Sequence, residues 1–185
     1  MRGTRFGLGL AAALLAAGGC GEGRVIFNVD VYSFLRGTGQ DTIPYAVPPL
    51  TPNLAVSNVP ERFRLLQGAG NSVVDSVRFT GTANFVNQLG SGTIAFQLYI
   101  AADSAGTYSP AGLAINLPPS SVSGTNTTPV TIAADLSGSL KLLFTEPELW
   151  VRMVAAGSNP GVTPVVGKMV LTSLQLRIVL QDKLF

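Results

Sequence analysis

The sequence contains no histidine and only one cysteine, Cys20, among its 185 residues. Without histidine the chain cannot build a Ser-His-Asp or Cys-His catalytic group, and one cysteine cannot form an internal disulfide. Charged residues are also scarce, at 12% of the chain against 46% hydrophobic residues. This composition favours one folded domain over a disordered chain. Because most familiar active sites are excluded, we expect a protein without enzymatic activity.

The first nineteen residues differ from the rest of the chain. Arg2 and Arg5 supply a positive start, and residues 6–19 form a short apolar segment of mainly Leu, Ala and Gly. This order is typical of an export signal peptide. A membrane-spanning helix is the competing interpretation, but this apolar segment would rise only about 21 Å, which is less than a hydrocarbon core of about 30 Å.

Residues 14–20, Leu-Leu-Ala-Ala-Gly-Gly-Cys, resemble the lipobox of bacterial lipoproteins. In that family a peptidase cuts before the cysteine, which becomes the lipidated first residue. The resemblance implies a lipoprotein signal peptide over residues 1–19, lipidation at Cys20 and a short tether over residues 20–23. The sequence departs from the usual pattern at Ala17, where an aliphatic residue such as Leu commonly stands. An ordinary signal peptide followed by an incidental cysteine is therefore the alternative.

The lipoprotein resemblance also implies a location. Several acyl chains on Cys20 would anchor the protein to a membrane without spanning it. Gly21 stands where lipoproteins of the inner membrane often carry Asp, so the implied destination is the outer membrane of the cell envelope, on its periplasmic or surface face. Loss of Arg2 and Arg5 with the signal peptide would leave a neutral domain. A neutral surface offers no basic patch to DNA or RNA, so we expect no nucleic-acid partner.

Residues 24–185 have the pattern of a single β-sandwich domain. Apolar residues at alternating positions predict a first strand over Arg24–Leu35 and a long final strand over residues 169–180. The segment Ile43–Pro52 contains prolines at positions 44, 48, 49 and 52. Proline cannot donate to a strand ladder, so this segment is predicted to be an extended loop or a protected edge.

The clearest local pattern predicts a β-hairpin. Residues 72–87 and 93–101 are rich in apolar and β-branched side chains, and a turn near Gly90–Gly92 separates them. After a loop over residues 104–129, shorter strands are predicted at residues 130–134, 140–144 and 149–155.

Helices are poorly supported, because the chain has little Lys, Glu or Gln and much Thr, Val, Ser and Gly. Only Pro60–Leu66 and Ser137–Leu143 are plausible helical turns. Seven to nine strands separated by turn residues predict an all-β fold, an antiparallel β-sandwich of immunoglobulin-like or jelly-roll type.

Glu146, Glu148 and Trp150 are the residues most suggestive of chemistry. Two carboxylates can cleave a glycosidic bond, and a tryptophan can stack on a sugar ring. The simpler interpretation is the polar start of a strand, with Trp150 leading into the core. Three aspartates in predicted loops could bind calcium, but no EF-hand spacing is present, so we interpret them as turn residues and predict no metal site and no cofactor. These aspartates are Asp41, Asp103 and Asp135.

Three functions are compatible with the sequence. The first is a lipid-anchored, non-catalytic β-sandwich of the envelope with a structural or protein-interaction role, whose envelope protein partner meets its loops or a strand edge. The alternative is a carrier or binding protein for a lipid or other apolar ligand, since residues 25–34 and 169–180 carry apolar side chains on both faces and could line a cavity. The second alternative is a carbohydrate-active protein using Glu146, Glu148 and Trp150.

Overall fold

A computed structural model describes residues 24–64 and 72–182. The predicted signal peptide, Cys20 and the tether over residues 20–23 lie outside the described residues, so they stay predictions. No helix within the described ranges is long and apolar enough to cross a membrane.

The described residues fold into two antiparallel β-sheets packed face to face, which confirms the predicted all-β sandwich. Sheet A contains β1 (Arg24–Asp30), β2 (Thr42–Val47), β5 (Ser72–Leu89), β9 (Asn126–Leu136) and β11 (Val165–Asp182). Sheet B contains β3 (Thr51–Ser57), β4 (Glu61–Arg64), β6 (Ser91–Ala101), β7 (Leu113–Asn116), β8 (Ser120–Ser123) and β10 (Glu148–Asn159). Two short helices are α1 (Val31–Gly37) and α2 (Gly138–Leu142), and single 3₁₀ turns cover Ala105–Tyr108, Pro110–Gly112 and Leu143–Thr145.

Three edges of the sandwich are each built from two short strands. β1 and β2 pair with opposite halves of β11, β3 and β4 with opposite halves of β10, and β7 and β8 with opposite halves of β6. Counting each such pair as one interrupted strand gives eight positions, in the order 1-8-3-6 in sheet A and 2-7-4-5 in sheet B. This is the order of a jelly roll, so of the two predicted sandwich types the strand order selects the jelly-roll type.

The proline-rich segment forms edges, as its composition predicts. Pro44 lies in β2 and Pro52 in β3, and each of these strands pairs on one side only within the described residues. Between β3 and β4 the ladder along β10 is interrupted. There the side-chain oxygen of Asn58 accepts a hydrogen bond from the Met153 amide at 2.8 Å, in place of a strand residue. The prediction that no central strand runs here is confirmed.

The predicted hairpin of residues 72–87 with 93–101 is wrong. β5 pairs with β9 and β11 in sheet A, whereas β6 pairs with strands of sheet B. The turn exists, but Gly90 carries the chain from one sheet to the other. It has a φ of +76°, and a Cβ there would collide with the carbonyl of Pro164. Alternating apolar residues specify a buried face but not the partner strand, which explains the error.

The predicted first strand ends at Asp30, five residues earlier than expected, and the chain continues as α1. The Asp30 carboxylate caps this helix by accepting hydrogen bonds from the Ser33 amide, at 3.1 Å, and from the Ser33 hydroxyl. These bonds lower the pKa of Asp30. Val31 and Leu35 are buried one helical turn apart. The same apolar residues therefore suit either an alternating strand or a helix face.

Several short segments also depart from their predictions. Of the two predicted helical turns, residues 137–143 overlap α2, whereas residues 61–64 form strand β4 against β10. The predicted strand 140–144 is helical, and the predicted loop 104–129 contains β7, β8 and the start of β9. Such short segments have no clear period of their own, so the neighbouring strand decides their structure. The strands predicted at 149–155 and 169–180 are confirmed as parts of β10 and β11.

The core lies between the two sheets and is filled by alternating side chains from their inner faces. Each fully buried large aliphatic or aromatic side chain contributes about 1.5–3 kcal/mol to the free energy of folding. The largest of them are Phe79, Phe85, Phe96, Leu35, Ile43, Ile94, Leu98, Ile100, Ile132, Met153, Met169 and Leu171.

Candidate functional site

A groove crosses the outer face of sheet B, and we call it the outer groove. Two alanines on neighbouring strands form its floor, because Ala156 of β10 lies opposite Ala95 of β6 and both line the groove; we call this pair the alanine row. Small side chains leave the sheet surface low along this row. The groove has a volume of about 460 Å³.

Uncharged polar side chains flank the alanine row on both sides. On one side, Gln97 Nε2 donates a hydrogen bond to Asn116 Oδ1 at 3.1 Å. On the other side, the hydroxyls of Thr93 and Ser158 hydrogen-bond each other at 2.8 Å. All four residues line the groove. The flanks can therefore exchange hydrogen bonds with a ligand without presenting a charge.

The two ends of the outer groove are formed by proline-rich segments. Pro52 and Asn53 of β3 stand at one end, and residues 117–119, Leu-Pro-Pro, stand at the other. The Leu117 amide donates to the Phe96 carbonyl at 3.0 Å, so the segment begins as a continuation of the β7 pairing. Pro118 and Pro119 have no amide hydrogen and interrupt that pairing, which resumes in β8 where Ser120 lies opposite Ile94.

Arg152 is buried on the same outer face, with only 8% of its surface exposed. Its Nε and Nη2 donate hydrogen bonds to the Thr107 carbonyl at 3.1 and 2.7 Å. The guanidinium lies between the rings of Tyr99 and Tyr108, 4.5 and 4.4 Å from their centroids. Such stacking stabilises a cation without a carboxylate. Among the described residues, no ion pair involves Arg152.

This buried arginine is linked to the outer groove. The Tyr99 hydroxyl donates to Gln97 Oε1 at 3.4 Å, and Gln97 in turn holds Asn116. Thr107 and Tyr108 belong to the 3₁₀ turn that folds over the sheet after β6. The network therefore fixes the orientation of the amides on one flank of the groove.

A second opening, which we call the end cavity, lies at the end of the sandwich where β1 begins and β11 ends. It has a volume of about 350 Å³. Apolar side chains of β1 and β11 line it, together with the ring of Phe144 and the polar residues Asn28, Asp30 and Arg64. The apolar strand residues are Phe27, Val29, Ile178 and Leu180. They come from the two segments whose excess of apolar residues predicts a cavity.

The residues suggested for glycoside chemistry lie outside both openings. The carboxylate of Glu148 pairs with Arg62 at 3.5 Å and with Arg64 at 3.2 Å on the adjacent strand β4. Glu146 is exposed where the 3₁₀ turn before β10 ends, and Trp150 is half-buried opposite Arg62. Glu148 is thus bound by two arginines, and these ion pairs explain its presence, because they join strands β4 and β10.

The three aspartates considered for calcium each have a different structural role. Asp103 accepts a hydrogen bond from the Gly106 amide at 2.7 Å, as predicted for a turn residue. The prediction that Asp135 is a turn residue is wrong, because it lies in β9 and pairs with Arg78 of β5 at 3.7 Å. The Asp41 carbonyl accepts from the Leu171 amide. Within the described ranges, no group of three or more His, Cys, Asp or Glu residues is placed to hold a metal.

Sequence reasoning missed the outer groove and Arg152. The alternation of β6 does place Thr93, Ala95 and Gln97 on the outer face, but the alanine row depends on strand pairing that the sequence does not state. Arg152 left a signal, since it is the one charged residue within the apolar run 149–156. An arginine in such a run needs a buried partner or a cover, and the turn after β6 supplies the cover.

No protein family model matches this chain, and no curated protein matches it. The chain is similar to three solved structures at very low identity. "Structure of infectious bursal disease virus Gx strain" is 8% identical with a TM-score of 0.49, over 88% of this chain and 33% of that chain. "Structure of infectious bursal disease virus Gt strain" is 9% identical with a TM-score of 0.38, over 88% and 38%.

The third, "Crystal structure of the T13 IBDV viral particle reveals a missing link in icosahedral viruses evolution", is 6% identical with a TM-score of 0.37, over 86% and 39% of the two chains. This chain thus spans between 33% and 39% of the length of the three structures. At these TM-scores the matches add nothing to the jelly-roll assignment, which rests on the strand order.

Proposed function

We propose that this protein is a non-catalytic binding module of the bacterial cell envelope, anchored through lipid on Cys20, whose partner occupies the outer groove of sheet B. The observation that carries the proposal is the groove itself, about 460 Å³ in volume. This volume lies within the range of about 300–1,000 Å³ typical of ligand sites.

The lining of the outer groove supports binding rather than catalysis. It offers amides, hydroxyls and small apolar surfaces, and the described residues that line it include no Asp, Glu, Lys, Arg or Cys. General acid–base and nucleophilic catalysis need a side chain whose proton affinity suits the reaction, and amides and unactivated hydroxyls do not supply one. The groove residues fit a role in recognition.

The position of the groove also suits a protein anchored at Cys20. Arg24, four positions after Cys20, pairs with Gln181 near one end of β11, whereas Leu89, four residues before Thr93, pairs with Val166 near the other end of β11. At about 3.3 Å per residue, these two ends are roughly 50 Å apart. The groove beside Thr93 therefore lies toward the end of the sandwich remote from the proposed anchor, where a membrane would leave it accessible.

The anchor is tested by metabolic labelling with an alkyne analogue of palmitate. We expect label on the native chain and none on the Cys20→Ala variant, which should also leave the membrane fraction. A native protein that carries no label, or that retains residues 1–19 after export, would contradict the anchoring part of the proposal.

The groove is tested by capture from envelope extracts. Ala156→Trp places a large side chain in the floor of the outer groove, and Ala133→Trp makes the same change on the exposed outer face of β9 in sheet A. We expect the same partner with the native chain and Ala133→Trp, and its loss with Ala156→Trp. Equal capture by all three proteins would place the binding surface elsewhere.

A carrier of an apolar ligand is the second candidate, and the end cavity favours it. Its apolar walls and its volume of about 350 Å³ suit one acyl chain or a similar ligand. Native mass spectrometry should then detect a lipid with the native protein and lose it with Val29→Trp, which fills the cavity. Purified native protein free of any such mass would eliminate this candidate.

A further inference from the structure

The chemistry of the outer groove restricts the class of its ligand. Of the side chains that line the groove in the described part of the chain, five can form hydrogen bonds and none is ionisable. A charged ligand would lose hydration in this groove without gaining a countercharge, which costs free energy. A neutral ligand with several hydroxyl groups meets no such penalty. The five polar residues are Asn53, Thr93, Gln97, Asn116 and Ser158.

Two of the side-chain amides have hydrogen-bonding groups that are free to bind a ligand. The exposed side chain of Asn53 has no hydrogen-bond partner among the described residues. The side-chain oxygen of Asn116 accepts from Gln97, and in the part of the chain that the structure describes its Nδ2 group donates to no other residue. Each primary amide group has two donors and an oxygen, so it matches the donor and acceptor pattern of neighbouring hydroxyls.

The groove is unsuited to an extended peptide, which commonly binds by adding a strand to a free sheet edge. Its floor lies across paired strands, because β10 is hydrogen-bonded to β3 on one side and to β6 on the other. The backbone groups around Ala156 are therefore engaged in the ladders. A ligand must therefore be recognised by the side chains of the groove. Hydroxyl groups of a ligand can bond to these side chains, whereas a peptide backbone binds best to free backbone groups.

The shape of the floor adds a further match. Ala156 and Ala95 lie on adjacent strands, which are about 4.8 Å apart, so the alanine row is about 5 Å long. This flat apolar strip lies between two polar flanks. A sugar ring has the same arrangement, with C–H groups on its faces and hydroxyls around its rim.

From these features we infer that the outer groove binds a neutral polysaccharide chain, with ring faces on the alanine row and hydroxyls bonded to the flanking amides. This inference rests on the proposed function for the location of the site and goes beyond it by naming the ligand class. The stack of Tyr99 on Arg152 acts as a positioning element, because it holds Gln97 and through it Asn116.

The test is affinity chromatography of the protein, as exported and processed by the cell, on columns that each carry one immobilised polysaccharide. The neutral set is dextran, mannan, xylan and galactan, and the acidic set is alginate and polygalacturonate. We expect retardation by at least one neutral polysaccharide, unchanged by moderate salt because no ion pair is involved. Ala156→Trp should weaken it at least about tenfold, equivalent to about 1.4 kcal/mol, and Ala133→Trp should not.

Asn116→Ala provides a milder variant of the flank. Loss of one neutral hydrogen bond is worth about 0.5–1.5 kcal/mol, so binding should weaken by a factor between about 2 and 12. Equal thermal unfolding of the variants and the native chain shows that folding is not the cause. If the tryptophan in the floor unfolds the protein, Asn116→Ala and Asn53→Ala carry the test alone.

Retardation only by acidic polysaccharides, retardation abolished by salt, or retardation insensitive to both groove variants would overturn the inference. So would binding by none of the neutral set. Loss of the envelope partner with Ala156→Trp, without retardation by any neutral polysaccharide, would leave the groove as the binding site and refute the saccharide class alone. Unchanged envelope capture would refute the proposed function as well.

Discussion

The two ends of the sandwich interior are closed in different ways. At the end near Gly90, two fully buried asparagines bind the connections between strands. At the end near Arg24, the inner face is apolar and partly open, with 39% of Val25 exposed beside the end cavity. We call the end near Gly90, where side chains hold the connections together, the pinned end. We call the end near Arg24, which has space for a ligand, the open end.

Asn159 holds together two connections at the pinned end. Its side-chain Nδ2 lies 3.1, 3.0 and 2.9 Å from the carbonyl oxygens of Val47, Pro48 and Thr163. Its oxygen accepts from the Gly161 amide at 2.9 Å. The connection that leaves β2 and the connection that leaves β10 are therefore joined through one side chain.

Asn87 likewise holds the segment at Gly90 that carries the chain from sheet A to sheet B. Its Nδ2 lies 3.2, 3.0 and 2.6 Å from the carbonyl oxygens of Leu89, Gly90 and Gly124. The Tyr45 hydroxyl donates to its oxygen at 3.4 Å. Buried amides whose hydrogen bonds are satisfied in this way fix one arrangement of the loops.

The difference between the ends is tested first with two phenylalanines on the inner face of sheet A. Phe85 is 1% exposed, so Phe85→Ala should lower the free energy of unfolding by about 4 kcal/mol. Phe27 is only half-buried beside the end cavity, so Phe27→Ala should cost about 1 kcal/mol. Urea denaturation measures both. Equal losses would mean that the open end is as tightly packed as the pinned end.

The next largest effect is expected from Asn159→Ala. The change leaves several buried carbonyls and the Gly161 amide without their partner, so the free energy of unfolding should fall by about 3 kcal/mol. Asn28→Ala is the matched control, since Asn28 is exposed on β1 and its loss should change stability by less than about 0.5 kcal/mol. A loss below about 1 kcal/mol for Asn159→Ala would show that water satisfies these groups as well as the amide does.

The same contrast explains what the sequence could and could not predict. In long segments such as 169–180, apolar residues alternate over so many positions that only a β-strand fits the pattern. The strand prediction for this segment is correct. The hairpin prediction failed at Gly90, because a turn residue marks a change of direction without saying which sheet follows. The outer groove was beyond prediction, since Ala95 and Ala156 become neighbours only through pairing between distant segments.

Tyr45 provides a test of the pinned end that does not alter its packing. Burial raises the pKa of Tyr45 from 10.0 to about 12. The folded state therefore keeps a proton that the unfolded state loses, and this stability is present below pH 10 and lost as pH rises through about 12. The loss is at most about 2.7 kcal/mol at 1.36 kcal/mol per pKa unit.

The control for this titration is Tyr45→Phe, which keeps the ring and removes the ionisable group. The variant loses one long hydrogen bond to Asn87, so near neutral pH it should lie within about 1 kcal/mol of the native chain. Between pH 10 and 12, urea denaturation should show the native chain losing stability relative to the variant. Parallel pH profiles for the two proteins would show that water reaches the Tyr45 hydroxyl.

The smallest effect is expected at the open end, where Asp30 both ends β1 and caps α1. Asp30→Ala removes the side-chain acceptor of the Ser33 amide and should cost about 1 kcal/mol. Asp30→Asn keeps an acceptor and should cost less. The lowered pKa of Asp30 means that its ionised form adds stability above its ordinary value of 3.8, and this advantage over Asn disappears as pH falls through the folded-state pKa. If Asp30→Ala destabilised the protein as much as Asn159→Ala, the open end would be as strongly fixed as the pinned end.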